Sequence, residues 1–205
     1  MQKFLFFIFF WTQFIFGQED LSNTIVSVDG FKALADFILE DKNSFEPDQI
    51  FEGAVIFIKT DYLGYFFKKK FPRIKNRFIL ISHEGDHPAP RRHKKYLEHE
   101  KLIAWFGQNP TVKNEKKFYP IPIGIAGSNW THGTMDTVKN IQNTRVEKLY
   151  LAYLNITVPT YPLEREKVYN MFYNQPYCFD VGKFSFARYL QDVKKSQFVF
   201  SPRGH

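Results

Sequence analysis

The chain has one cysteine, Cys178, and no apolar run that reaches about 18 residues, the length of a membrane span. A single cysteine excludes an intrachain disulfide framework and a zinc module built on several cysteines. The 205 residues, 44% of them hydrophobic, also exclude a disordered, collagen-like or coiled-coil chain. This length and composition suffice for one domain or two small ones with a real core.

The first seventeen residues hold much of the aromatic content. Aromatic residues make up 19% of the chain, and seven of the 24 phenylalanines lie within residues 1–17. Lys3, the apolar stretch 4–16 and Gly17 before a polar change are typical of a secretory signal peptide, and an uncleaved anchor is the alternative. We expect a signal peptide over residues 1–17, a location in the endoplasmic reticulum or Golgi lumen or outside the cell, and no stable membrane span after cleavage.

Two glycosylation sequons agree with a secretory route. They begin at Asn129 and Asn155, whereas the similar triplet at 109–111 is excluded by its proline. We expect Asn129 and Asn155 to be glycosylated. In its apolar setting, Cys178 fits a buried small residue better than a nucleophile.

Charge is divided unevenly along the chain. Residues 18–58 carry two basic and nine acidic side chains, whereas residues 59–117 carry fifteen basic and six acidic ones. The middle segment contains the runs Lys68-Lys69-Lys70 and Arg91-Arg92-His93-Lys94-Lys95. Such runs are either solvated faces or a surface that attracts phosphate- or sulfate-bearing ligands. A secretory route argues against nucleic acid as a partner.

Hydrophobic patterns predict alternating strands and helices. Short apolar runs predict strands at 54–58, 78–82, 102–106, 149–154, 177–181 and 197–200. Helices are predicted from an Asp29 cap across Phe31 to Ile38, and at 61–67, 163–173 and 186–195. The proline-containing segment 119–124 predicts an extended loop or edge strand. This order predicts an α/β fold with parallel strands and a boundary near residues 140–145.

Polar residues collect after three of the predicted strands. In an open α/β sheet, ligands bind beyond the carboxyl ends of the strands. The polar segments that follow these strands are His83-Glu84-Gly85-Asp86-His87-Pro88, Gly107-Gln108-Asn109-Pro110 and Ser201-Pro202-Arg203-Gly204-His205. We expect the ligand-binding and catalytic residues of the protein to lie in these segments.

The segment His83 to His87 satisfies the H-E-x-x-H pattern of zinc peptidases. That chemistry needs both imidazoles on one helix face. Here the pattern follows a strand directly, contains Gly85, and places His87 before a proline, which disfavours a helix. His93 and His99 are possible further ligands whose geometry nothing fixes. A turn that carries ligand-facing side chains is the better interpretation, and we expect no metal.

Carboxylates and aromatic rings near these ends suggest sugar chemistry. Asp86 and Glu84 are each candidates for a general base, although Asp and Gly also favour turns for backbone reasons. Trp105, Gln108 and Trp130 could form a sugar-binding surface, although Trp105 on a strand equally fits the core. A glycan on Asn129 would put its loop on the outer surface.

Several blocks of the sequence, in their order and spacing, resemble exostosin-like glycosyltransferases. The resemblance covers roughly residues 50–205. The blocks are 78–86, 101–109, 121–126 with Trp130 and His132-Gly133, 148–155, Glu164-Arg165, and 189–204.

The resemblance implies a glycosyltransferase B-like architecture, two Rossmann-like halves with the active site between them. It implies domains at 18–145, on the acceptor side, and at 146–205, for the nucleotide sugar. Family members transfer a sugar from a nucleotide donor with inversion at the anomeric carbon. The implied sites are catalytic Asp86 and, less favoured, His83; donor-binding Ser201, Arg203 and Gly204; and acceptor-binding Glu84, Gln108, Asn109, Trp130 and His132. The implied partners are a nucleotide sugar and a glycan or glycoprotein acceptor, with no cofactor.

Two departures from the family pattern modify this expectation. Relatives often have His-Asn-Ser-Asp where this chain has His83-Glu84-Gly85-Asp86, which adds negative charge near the acceptor site. Relatives also continue past the Ser-Pro-Arg-Gly loop into a helix that helps hold the donor, whereas this sequence ends at His205. We therefore expect a C-terminally truncated member with an incomplete second half and impaired activity. The alternative is a non-catalytic secreted remnant that binds carbohydrate or a polyanion.

Overall fold

The structure, a computed structural model, describes residues 26–132, 134–180, 182 and 184–203. The predicted signal peptide over residues 1–17 and the predicted donor residue Gly204 lie outside the described residues. The chain forms two compact units that divide between Gly127 and Ser128. The sequence places the boundary later, near residue 145. The difference arises because helix α3 (Met135–Gln142) packs on helix α5 (Phe186–Lys195) within the second unit.

The first unit is built on a five-stranded parallel sheet. The strands are adjacent in chain order: β1 (Phe37–Leu39), β2 (Ala54–Lys59), β3 (Phe78–His83), β4 (Leu102–Gly107) and β5 (Phe118–Pro120). The predicted strands at 54–58, 78–82 and 102–106 are confirmed. Of the proline-containing segment 119–124, the first two residues lie in edge strand β5 and the rest form a loop, as predicted. Pro120 suits an edge because it has no amide hydrogen to give to a further neighbour.

The strand register aligns the polar strand ends along one edge of this sheet. Lys59 pairs with His83, and Ser82 pairs with Gly107. The residues that follow β2, β3 and β4 therefore emerge side by side at the carboxyl edge. This edge is where ligands bind in open α/β sheets.

Helix α1 (Val28–Ala33) begins two residues earlier than the sequence predicts. Its N-cap is Ser27, whose Oγ accepts a hydrogen bond from the Gly30 amide at 3.0 Å, so the prediction of Asp29 as the cap is wrong. The predicted extension of this helix to Ile38 is also wrong, since Ile38 lies in β1. Asp36 turns the chain into the sheet, because its Oδ2 accepts from the Val55 amide at 2.8 Å.

A continuous helical segment over residues 60–73 covers one face of the sheet. It comprises 3-10 turns at Thr60–Tyr62 and Phe71–Arg73, helix α2 (Leu63–Tyr65) and a π-helical turn at Phe66–Lys70, so it continues beyond the predicted end at Phe67. The 3-10 helix Arg91–Glu98 packs beside it, and a short 3-10 turn lies at Pro47–Gln49. Trp105 is fully buried in the core under these segments, so it belongs to the core and not to a sugar-binding surface.

The second unit has a three-stranded parallel sheet in which the first strand along the chain lies between the other two. Its strands are β6 (Tyr150–Leu154), β7 (Cys178–Asp180) and β8 (Ser196–Val199), and its helices are α3, α4 (Pro162–Phe172), α5 and a 3-10 turn at Val158–Thr160. The strands and helices predicted after residue 149 are confirmed. Cys178 is half-buried, and burial together with the Asp180 carboxylate raises the pKa of its thiol, which keeps it protonated.

Both units are thus mixed α/β with parallel sheets, an arrangement compatible with Rossmann-like folds. Within the described part of the chain, no helix has the length and apolar character needed to cross a bilayer.

Candidate functional site

The loop after β3 is the centre of the carboxyl edge of the five-stranded sheet. Gln108, which follows β4, holds this loop from the side. Its Oε1 accepts from the Glu84 amide at 3.2 Å, and its Nε2 donates to the Gly85 carbonyl. Gln108 is buried, so its amide serves as a fixed support for the loop. Gln108, which the sequence predicts to contact an acceptor, would therefore act on it by positioning Glu84.

Glu84 adopts a left-handed backbone conformation that turns the chain out of the sheet. Its φ is 55°, which a helix does not permit, and the residues after it form bends. The H-E-x-x-H segment is consequently not helical, as expected. His87 is exposed and lies with its Nε2 3.5 Å from Asp61 Oδ1. In the residues that the structure describes, no group of three or more His, Cys, Asp or Glu side chains is arranged to hold a metal.

Glu84 is one of two carboxylates that share the ammonium group of Lys32. Lys32 Nζ lies 2.5 Å from Glu84 Oε2 and also contacts Glu40 Oε1. Lys32 and Glu84 are largely buried, with side chains 13% and 12% exposed, while Glu40 is more open. Lys32 therefore offsets the negative charge that Glu84 brings to this edge.

The two carboxylates have pKa values displaced in opposite directions. Burial raises the pKa of Glu84, and the neighbouring Glu40 adds to this effect against the attraction of Lys32. Burial also opposes ionisation of Glu40, but its contacts with Lys32 and Glu84 lower its pKa. Glu40 is thus the more readily ionised of the two carboxylates, and Glu84 is the more readily protonated.

His83 is completely buried at the end of β3. Its Nε2 lies 3.1 Å from the Pro122 carbonyl, and its ring packs 4.8 Å from that of Phe31. Burial lowers the pKa of His83 despite the Pro122 hydrogen bond, so the ring is neutral near pH 7. A carbonyl only accepts, so Nε2 carries the proton and Nδ1 keeps a bare lone pair. This geometry suits a positioning residue better than a base.

Three buried side-chain atoms of the described residues make no hydrogen bond, and all three lie at this one edge. They are Thr60 Oγ1, His83 Nδ1 and Glu84 Oε2. Glu84 Oε2 nevertheless has a charged partner, since Lys32 Nζ lies 2.5 Å from it, so Thr60 Oγ1 and His83 Nδ1 are the two atoms left without a partner. Buried polar atoms are almost always satisfied in native proteins, and exceptions call for an explanation such as a bound ligand or water.

The backbone of Gly85 lies so close to Thr60 that a side chain at this position would clash with it. A Cβ on Gly85 would overlap the Thr60 hydroxyl and come within 3.1 Å of Asp61 Oδ2. The loop therefore approaches the end of β2 as closely as its backbone allows. Thr60 belongs to this site although the sequence did not single it out.

Asp86 stands at the exposed tip of the loop. Among the described residues, none donates a hydrogen bond to its carboxylate or forms an ion pair with it. Asn109 is half-buried at the neighbouring strand end with a φ of 48°. The structure thus brings Asp86, Glu84, Gln108, Asn109 and, beneath them, His83 to one edge.

The remaining predicted residues belong to the second unit. Trp130 and His132 are exposed, with ring centroids 5.5 Å apart. Ser201 and Arg203 follow β8 and are also exposed, and the Arg203 guanidinium lies 4.8 Å from the centre of the Tyr161 ring.

Arg165 and Glu164 hold the segment that carries Arg203. Arg165 Nε donates to the Arg203 carbonyl at 2.7 Å, and Arg165 Nη1 donates to the Thr157 carbonyl at 3.1 Å. The Arg203 amide donates to Glu164 Oε1 at 2.9 Å. These two residues fix the loop backbone and leave the Arg203 guanidinium over Tyr161.

The two sequon asparagines differ in their surroundings. Asn129 is exposed, whereas Asn155 is half-buried and its Nδ2 donates to the Tyr153 hydroxyl at 2.9 Å. Nδ2 is the atom to which a glycan would be attached, so only Asn129 presents it freely.

The sequence did not reveal Lys32, Glu40 or Thr60 as members of the site. Thr60 follows β2 directly, so the strand-end rule applied to that strand identifies it. Lys32 and Glu40 have no comparable signal, because they reach Glu84 through the packing of α1 and β1. No family model and no curated protein matches this chain.

Proposed function

We propose that this protein is an exostosin-like glycosyltransferase of the B-type architecture. In this proposal it transfers a sugar, with inversion, from a nucleotide sugar to a glycan or glycoprotein acceptor in the secretory pathway. The observation that carries the proposal is that two buried polar atoms without a partner, Thr60 Oγ1 and His83 Nδ1, lie beside the Glu84 loop at the carboxyl edge of a parallel sheet. The sequence blocks that resemble the family supply the reaction class.

Asp86 acts as the general base in this proposal. Its exposed carboxylate takes the proton of an acceptor hydroxyl, and the hydroxyl oxygen attacks the anomeric carbon from the face opposite the diphosphate. The bond from the anomeric carbon to the diphosphate oxygen breaks, and the nucleoside diphosphate leaves with the bonding electrons. A positioned general base contributes about 10²- to 10⁴-fold to such a rate.

Glu84 and Gln108 orient the acceptor. The Glu84 carboxylate, fixed by Lys32, accepts a hydrogen bond from a second acceptor hydroxyl, while Gln108 fixes the loop that carries Glu84 and Asp86. Asn109, at the neighbouring strand end, adds a further amide contact to the sugar. Neutral His83 acts as a positioning residue that joins β3 to the Pro122 segment.

Arg203 binds the donor diphosphate. A guanidinium offers paired donors to phosphate oxygens and stabilises the charge that develops as the diphosphate leaves. Ser201 and Gly204 contribute a hydroxyl and a backbone amide, and Arg165 holds the loop in place.

Donor binding is tested by thermal unfolding of the full chain with a panel of nucleotide sugars and nucleoside diphosphates. A donor at about 100 times its Kd is expected to raise the Tm by about 5–10 °C. Arg203→Ala should remove this shift. The matched variant Arg145→Ala, which deletes another exposed arginine of the second unit, should retain it. If no nucleotide shifts the wild-type Tm, or if both variants behave alike, the donor assignment is wrong.

A further inference from the structure

Two neighbouring segments of the first unit concentrate positive charge over one face of the five-stranded sheet. Residues 60–73 and 91–98 together carry eight basic and two acidic side chains. Both cover the face of the sheet opposite helix α1, where their apolar residues join the main core cluster. Their polar residues are left on the surface.

Aromatic stacking brings the two segments together. The ring of Phe67 stacks on that of His93 at 4.8 Å and on that of Tyr96 at 4.2 Å. Arg92 lies across Gly64, where an added Cβ would be only 3.0 Å from Arg92 Nη2. The charges of one segment therefore adjoin those of the other.

Some basic side chains of these segments have their charge satisfied locally. Lys70 is buried and donates to the Phe45 carbonyl, Arg73 pairs with Glu46 at 3.2 Å, and Lys94 pairs with Glu115 at 2.5 Å. Five others are exposed and form no ion pair with any described residue, and we call them the basic surface: Lys68, Lys69, Arg91, Arg92 and Lys95.

The positive charge of this surface affects the pKa of His93, which lies within it. Burial, the charge of Arg92 and the charge of Lys95 together lower the pKa of His93 to about 4. His93 therefore stays neutral near pH 7, and the surface keeps its charge from permanently ionised lysines and arginines.

The side chains around the basic surface restrict the kind of partner. No large hydrophobic side chain of residues 60–73 or 91–98, both described in full, is among the exposed ones. Membrane insertion needs exposed apolar groups, and single-stranded nucleic acid is bound by exposed aromatic rings. The surface offers charge alone, with two arginines that suit the paired oxygens of a sulfate ester.

We propose that the basic surface binds a sulfated polysaccharide. A linear chain with regularly spaced sulfate groups would cross both segments and neutralise unpaired cations on each. The signal-like N-terminus predicts a secretory route, and such chains occur in its compartments. This binding lies outside the candidate site and does not depend on glycosyl transfer.

The test measures binding of the full chain to heparin, to chemically desulfated heparin and to single-stranded DNA of equal charge, over a range of salt concentrations. The variant replaces all five residues of the basic surface with serine. A charge-matched control replaces five exposed lysines elsewhere with serine: Lys42, Lys75, Lys113, Lys139 and Lys167. Two double variants, K68S/K69S and R91S/R92S, supply the same comparison with less alteration, and circular dichroism verifies that each variant is folded.

The wild type should bind heparin in a salt-sensitive manner and desulfated heparin at least about tenfold more weakly, since the binding comes from counterion release. The five-residue variant should lose about tenfold or more in affinity, each double variant should lose part of this, and the control should lose much less. Equal losses in variant and control, tighter binding to DNA than to heparin, or undiminished binding after desulfation would each overturn the proposal.

Discussion

The ammonium group of Lys32 lies 2.5 Å from Glu84 Oε2 and ties helix α1 to the loop that follows β3. Lys32 supplies the positive charge that offsets the Glu84 carboxylate at this edge. Glu40 completes the cluster from the end of β1. One lysine thus fixes both the charge and the position of the site loop.

Replacing Lys32 with methionine should destabilise the protein by about 2–3 kcal/mol at pH 7, because two neighbouring carboxylates lose their common cation. Both folded-state pKa values should then lie above those of the unfolded chain, so stability lost at pH 7 is partly regained as the pH falls toward 5. Urea unfolding at the two pH values measures this. Lys42→Met is the control, and an equal loss at pH 5 and pH 7 would contradict the account.

Replacing Gly85 with alanine should cost about 1–3 kcal/mol, because the new methyl group would overlap the Thr60 hydroxyl. The double variant Thr60→Ala/Gly85→Ala should recover most of this loss, since the Cβ on residue 85 then meets the Cβ of residue 60 at an ordinary 3.5 Å. A double-mutant cycle in urea measures the coupling. Additive losses would mean that the two residues are not in contact.

The strands could be predicted from the sequence because each is a short apolar run bounded by polar residues. The same patterns predicted that the ends of β3 and β4 would adjoin, since parallel strands share an edge. The Lys32–Glu40–Glu84 cluster could not be predicted, because it depends on how α1 packs on the sheet. The wrong cap at Asp29 has a local cause: Ser27 and Asp29 are both good N-caps, and the backbone selects Ser27.

Stability should fall as the pH decreases from 6.5 toward 4, in part through His93. Burial and the charges of Arg92 and Lys95 lower its folded pKa to about 4, so the unfolded chain binds a proton first over this range. His83, whose pKa burial also lowers, contributes in the same direction. His93→Phe keeps the stack on Phe67 and should flatten this part of the curve. An unchanged pH profile for the variant would show that His93 is not the cause.

Glycosylation in a secretory expression host should occupy Asn129 and leave Asn155 largely unmodified. Asn129 is exposed, whereas Nδ2 of Asn155 is engaged with the Tyr153 hydroxyl. Intact-mass analysis should therefore show the loss of one glycan in Asn129→Gln and no change in Asn155→Gln. A glycan retained by the Asn129 variant would contradict this assignment.

The most direct test of the proposed function is a transfer assay with the full chain, a panel of nucleotide sugars and glycan acceptors, measured by release of nucleoside diphosphate and by the anomeric configuration of the product. We expect an inverted product, and a rate that falls about 10²-fold or more in Asp86→Asn while the donor Kd is unchanged. The variant Asp48→Asn, altered at an exposed carboxylate away from the strand ends, should retain the wild-type rate. No acceptor-dependent release with any nucleotide sugar, a retained anomeric configuration, or an Asp86 variant as active as the wild type would contradict the account.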